Sequence, residues 1–333
     1  MKLSCKASTG ISPGKLILSG EHAVVKGAPA IAVAVDRFVM THVVPAEDPP
    51  FKSLDFIKTS LDLRYHAFLK KSLSIREVIE KPEALIAYAV AQLNTYFDPE
   101  NQAPGFALST QTNLPVGCGM GSSAALILSI YHALQGAFDF ALPDSAAREL
   151  AIEAENLIHG KSSGLDIAIC QKGGMHRFQH GQMSPIPCEG FSMNLIHSGK
   201  PESSTGECVV QAGLYLNSEK LENFAKVTQK MEDALRKEDS ALLWTSIREN
   251  HRLLSDIGVV PHRVQHLIAE IENVGGAAKI CGAGSVSGDH AGVVWVYGNS
   301  LDMYQQIASA HQMDWMGTLM LCPKGAQSCP TKL

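Results

Sequence analysis

The chain has 333 residues, of which 45% are hydrophobic and 18% charged, with a formal net charge of -5. That length allows two domains, because single cores rarely grow beyond ~250 to 300 residues, and the composition excludes a disordered or fibrous chain. The acidic balance offers no electrostatic footprint for nucleic acid or an anionic membrane, and no apolar run reaches the ~18 to 20 residues of a membrane-spanning helix.

In chain order, "PAIAVAVDRFVMTHVV" (29 to 44) alternates and is rich in β-branched residues, which predicts a strand or paired strands. "SIREVIEKPEALIAYAVAQLNTYF" (74 to 97) has helical apolar spacing, with Pro82 tolerated only near a first turn. "NQAPGFALSTQTNLPVG" returns to strand chemistry through a Pro-Gly turn. "SSAALILSIYHALQGAF" predicts a helix with Ser122 as its cap, and "PDSAARELAIEAENLIHG" another, capped by Asp144 or Ser145 and ended by Gly160. "IAICQKGGMHRFQHG" reads as strand and hairpin, and "FSMNLIHSG" as a strand. From 217 to 272 the pattern is helical almost throughout. "AAKICGAGSVSGDHAGVVWVYG" reads as turn, glycine loop and strand. The mixture lacks strict βαβ alternation, which points to α+β layers. A boundary is expected near 185, at the prolines of "MSPIPCEG", giving domains 1 to 185 and 186 to 333.

The eight cysteines form no CxxC pair and follow no signal peptide, so reduced thiols and a cytoplasmic location are expected. Two histidine pairs, in "HRFQH" (176 to 180) and "HRVQH" (262 to 266), lack the HExxH glutamate and an evident third ligand, so neither is read as a zinc site.

Three segments carry glycine where chemistry is expected: "PGKLILSGEHAVVKG" (13 to 27), "PVGCGMGSSAA" (115 to 125) and "CGAGSVSGDHAG" (281 to 292). The central one turns into a helix, which gathers unpaired N–H groups at the positive end of a helix dipole and suits phosphate. It is neither a Walker A loop, which needs GK[ST], nor the dinucleotide fingerprint. Cys118 and Met120 between its glycines read as packing residues.

With "ENLIHGKSSGLDIAICQKGG" added, the four stretches resemble, in order, the GHMP kinases, which phosphorylate galactose, homoserine, mevalonate and phosphomevalonate. "PGKLILSGEHAVV" is most similar to the mevalonate branch of that family. The resemblance implies a two-domain α+β fold: an N-terminal domain like ribosomal protein S5 domain 2 and a ferredoxin-like C-terminal domain. It implies ATP as co-substrate, Mg2+ as cofactor and mevalonate as acceptor, with phosphomevalonate or a non-catalytic metabolite-binding protein as alternatives. A homodimer is left open.

The resemblance assigns Pro115, Gly117, Gly119, Gly121, Ser122, Ser123 and Ala124 to the ATP phosphates, and Gly282, Ala283 and Gly284 to the third glycine motif. Asp166 is the expected base, with Lys15 beside it stabilising the carboxylate and the developing alkoxide. Ser123 and Glu155 are expected to hold the metal, whereas Glu153, four residues after Glu149, should face solvent. Glu21, His22 and Thr205 should line the acceptor pocket. The acceptor carboxylate calls for a cation, and Arg177 reads either as its bidentate partner or as an exposed strand arginine. The chain departs from the family pattern at Ser19, at Ser162, and at Ser285 to Asp289, where a near-continuous glycine run is usual. A carboxylate at Asp289 beside phosphates would be repelled unless a cation compensates.

Overall fold

The computed structural model describes residues 4–46, 60–61, 82–93, 96, 105–159 and 162–329. Strand β1 (Ser8–Ser19) pairs antiparallel with β2 (Ala30–Pro45), Lys15 lying opposite Ala34 and Ile17 opposite Ala32. The expected strand at 29 to 44 is thus one long strand, buried throughout Ala30–Val35 and alternating further on, as its apolar pattern dictates. A 3₁₀ turn (Ala23–Lys26) lies between the two strands. Next come β3 (Ser60–Leu61), α1 (Pro82–Gln92), β4 (Phe106–Thr112), α2 (Ser122–Phe138), α3 (Asp144–His159) and α4 (Leu165–Lys172). The hairpin β5 (Met175–Gln179) and β6 (Gln182–Pro185) closes this part of the chain.

Pro82 opens α1, where its missing N–H does no harm; the part of the expected helix at 74 to 81 lies outside the described residues. Three local expectations are corrected. Residues 165 to 172 form helix α4, not strand: Leu165, Ile167, Ala168, Ile169 and Cys170 are all buried, so this short run shows no one-sided period for the sequence to reveal. Ser122 does not cap α2; Gly121, at φ 69°, holds the cap position without a side-chain bond, and Ser122 is the first helical residue. Asp144 likewise begins α3 as its first helical residue.

After β7 (Ser192–His197) the chain is helical: α5 (Thr205–Tyr215), α6 (Ser218–Lys237), α7 (Ser240–Asp256) and α8 (His262–Asn273). Strands β8 (Ala277–Ile280) and β9 (Val293–Tyr297), helix α9 (Leu301–Ala310), and strands β10 (Asp314–Met320) and β11 (Gln327–Cys329) complete it. "AAKI" is therefore strand β8 rather than a turn; four buried residues pair it with β9.

Among the described residues the strands form two antiparallel sheets. The first runs β11-β1-β2-β4-β3, with β5 and β6 joined to the near end of β2; the second runs β10-β7-β9-β8. Helix α2 packs on β1 and β2, while α7 and α8 pack on β8. The largest apolar cluster extends from α2 through β1 to Met193, Leu195 and Trp295, so the sheets share a core. This is the α+β layering the sequence pattern implies.

Gly10 of β1 lies tight against α2: a Cβ there would run into the Ser129 carbonyl oxygen and the Ala133 nitrogen. Gly10→Ala should destabilise the protein by ~1 to 3 kcal/mol, because backbone cannot move aside. Gly213→Ala, in α5 with open space around it, should stabilise by ~0.5 to 1 kcal/mol. Urea midpoints of the two variants against wild type check both signs.

Candidate active site

Lys15 stands on β1 with its side chain only 3% exposed. Its ammonium lies 3.0 Å from Asp166 Oδ2 and donates to the Gly119 carbonyl at 3.1 Å, while its backbone N–H donates to Met120 O at 2.9 Å. One strand residue thus joins the central glycine loop to the first turn of α4, where Asp166 is carried. The structure brings the expected pair Lys15 and Asp166 together.

Glu155, on α3, faces the same cavity and is 2% exposed. Ser123 Oγ donates to its Oε1 at 3.2 Å and Ser162 Oγ to its Oε2 at 3.0 Å. Burial, then the neighbouring Asp166 carboxylate, push the Glu155 carboxyl up to about 7. A buried carboxylate that feels a second one nearby suits an added cation. Glu153 is exposed, accepting from Tyr88 OH at 2.9 Å.

Gly119 and Gly282 let the central and third loops touch: a Cβ on Gly119 would lie 3.0 Å from the Gly282 Cα. Val293 N donates to Cys118 O at 3.3 Å beside this crossing. Cys118 (3%) and Met120 (1%) are buried, as expected of packing residues, and Cys118 Sγ also lies 3.0 Å from His197 Nε2. Gly117 and Gly119 border a second cavity with Lys200, Ser203 and Gly284; it shares Gly119, Thr205 and Ala283 with the first. Pro115, Gly121 and Ser122 belong to the same turn into α2, whereas Ala124 is wholly buried in the core.

Glu21, His22 and Thr205 line the first cavity with Ile17, Val24 and Val25. His22 sits at φ 60°, strained for a residue with a Cβ, and its Nε2 lies 3.0 Å from Ala283 O. Thr205 opens α5 next to Ser204, which caps that helix in a capping box with Glu207. Arg177 is not brought to the cavity: on β5 it donates to Glu232 at 2.8 Å and Gln229 at 3.0 Å, so its guanidinium is already paired. Lys279, fully buried on β8, was not singled out by sequence, yet its ammonium pairs with Glu21. A charged residue inside the apolar "AAKIC" is the signal that could have found it.

A strand-borne lysine, a helix-borne aspartate and a buried glutamate meeting over a glycine loop define a class. Residues 84–174 match the family model of the GHMP kinases N terminal domain, and the chain is similar to the GHMP kinases in sequence and fold. Within them its likeness runs to mevalonate kinases: over 284 residues it is 29% identical to that of Archaeoglobus fulgidus, covering 82% of this chain and 88% of that one. The crystal structure of L. major mevalonate kinase in complex with R-mevalonate shares the fold at TM-score 0.73 and 20% identity, over 98% of this chain and 100% of that one. Streptococcus pneumoniae phosphomevalonate kinase in complex with phosphomevalonate and AMPPNP does so at 0.73 and 15%, over 94% and 99%.

Burial holds the His22 imidazole down to about 4, from 6.5. Between those values the unfolded chain binds more protons, so this contribution to stability is present above pH 6.5 and is lost as pH falls towards 4, on the order of 3 kcal/mol. His251 shifts the same way. Melting temperature of the ligand-free protein should therefore fall across that window, and His22→Gln should make the fall shallower.

Proposed function

We propose that this protein transfers the γ-phosphoryl group of ATP to the 5-hydroxyl of mevalonate, giving 5-phosphomevalonate for isoprenoid synthesis. The observation that carries the reading is the Lys15–Asp166 pair at 3.0 Å in a cavity bordered by Gly119 of the phosphate-type loop. A phosphoryl group in flight needs positioning and charge neutralisation more than covalent help. Asp166 takes the proton of the attacking hydroxyl, and Lys15 stabilises the alkoxide as it develops. The loop from Pro115 to Ser123, with its bare glycine backbone and uncapped helix start, takes the nucleotide phosphates.

Ser123 and Glu155 would hold Mg2+, and the upward push that Asp166 and burial give Glu155 is the condition a divalent cation relieves. When bound, the ion neutralises phosphate charge. Glu21, His22 and Thr205 form the acceptor side. Lys15 is the one lysine or arginine among the described residues lining that cavity, which favours mevalonate over the more anionic phosphomevalonate. Sheet membership supports the division into 1 to 185 and 186 to 333, with β11 crossing back to β1. A cytoplasmic setting suits the eight free cysteines and supplies ATP.

The purified protein is assayed for ATP turnover with mevalonate, phosphomevalonate, galactose and homoserine offered separately, alongside Asp166→Asn. Mevalonate should be phosphorylated, and loss of the base should lower kcat by about 10²- to 10⁴-fold. Turnover with phosphomevalonate alone would sink the acceptor assignment, and full activity in the variant would remove Asp166 as base.

A further inference from the structure

We propose that Lys279 is a positioning residue for the acceptor: it clamps one oxygen of the Glu21 carboxylate and leaves the other, Oε2, to accept a hydrogen bond from an acceptor hydroxyl. The inference rests on the reading of this cavity as the acceptor site.

Lys279 is completely buried, and its ammonium has three donors. They reach Glu21 Oε1, the Ile280 carbonyl at 2.6 Å and the Ile17 carbonyl at 3.2 Å. All three are therefore satisfied inside the protein, and Lys279 touches no ligand itself. Its partners lie on both walls of the cleft: Ile17 on β1, Glu21 in the turn after β1, and β8 just before the Gly282 loop.

Glu21 is 1% exposed and lines the cavity, yet its Oε2 has no hydrogen-bond partner among the described residues. A buried carboxylate oxygen left unpaired is costly; Glu272 Oε1 is left in the same way beside Arg248, but Glu272 lines neither cavity, whereas Glu21 does. A hydroxyl delivered by the substrate supplies the missing donor, and the charge that Lys279 sustains makes that bond a strong one. Burial alone raises the Glu21 carboxyl, and Lys279 is the largest opposing influence. His22 Nδ1, beside it, is also unpartnered. Acceptor recognition thus depends on a lysine one layer behind the surface.

The test compares wild type, Glu21→Gln, Lys279→Met and the double variant, reading KM for ATP and for acceptor separately. The acceptor is whichever of mevalonate and phosphomevalonate the wild type phosphorylates, so a wrong acceptor assignment shows in the wild type and a wrong role for Lys279 only in the variants. A wild type that phosphorylates neither overturns both. Lys279→Met should raise acceptor KM about tenfold or more while ATP KM stays within about twofold. The double variant should lie within about threefold of Glu21→Gln alone, because Lys279 acts through Glu21. An unchanged acceptor KM in Lys279→Met, both KM values rising together, or a double variant equal to the product of the singles overturns the proposal. Should Lys279→Met fail to fold, the double variant, which removes both charges, still decides: an acceptor KM far above that of Glu21→Gln overturns it, and one matching it supports it.

Discussion

An ammonium group shut away from water must find its partners in the protein, and Lys15 is such a group. Removing one side of a buried charge pair costs ~3 to 5 kcal/mol, so whatever holds Lys15 is held by it in turn. Its partners come from three places: the Gly119 carbonyl, Asp166 on α4, and Met120 through the backbone. Its stem runs against Gly121, where a Cβ would lie 2.9 Å from Lys15 Cγ. The position of the central loop, the start of α2 and the first turn of α4 are therefore fixed by one strand residue. The proposed base, its lysine partner and the proposed phosphate loop are thus set by the same contact.

The second sheet brings the same device to the opposite wall. Lys279 is buried against Glu21 as Lys15 is against Asp166. Glu155 is then the carboxylate without a lysine of its own: its direct partners are the hydroxyls of Ser123 and Ser162, and its carboxyl is pushed up. Among the described residues, Lys15 pairs with Asp166 and the buried Lys279 with Glu21, which leaves Glu155 without a direct ammonium partner. Serine hydroxyls alone do not balance a charge at this depth, which is the electrostatic reason for assigning the proposed cation to Glu155 rather than to Asp166.

Sequence made some of this legible and hid the rest for identifiable reasons. α2 and α6 lie at the positions their patterns predicted, and β2 follows its β-branched alternation. These elements have local signals: period, length and turn chemistry. Helix α4 had none, since its five apolar residues are all buried and it is too short to show a period. The meeting of Lys15 with Asp166 joins residues 151 positions apart, and only the matched order of several motifs pointed to it. Arg177 failed in the opposite way. Its type and neighbourhood suited a carboxylate, but Glu232, 55 residues on, answers it on another surface. Lys279 escaped because "AAKI" reads as a turn, where a lysine is expected to be solvated, whereas it is a buried strand.

The departure in the third motif is also resolved by contacts. Where a glycine run is usual, Ser285, Ser287 and His290 bind the segment that follows β7. Ser203 N donates to Ser285 Oγ at 3.0 Å, the Ser203 and Ser287 hydroxyls lie 2.8 Å apart, and Val286 N donates to Ser203 Oγ at 3.2 Å. Glu202 accepts from the backbone N–H groups of Asp289 and His290, and lies 2.7 Å from His290 Nδ1. Asp289 itself is exposed and lines neither cavity, so its carboxylate is not set against the proposed phosphate site. A run of glycines pays a large ordering entropy when it closes on a ligand. Here side chains fix the outer part of the loop beforehand, while Gly282, Ala283 and Gly284 keep the inner part bare where it meets Gly119. The substitutions thus fall on the half of the loop that has a protein partner, and spare the half whose partner is the cleft.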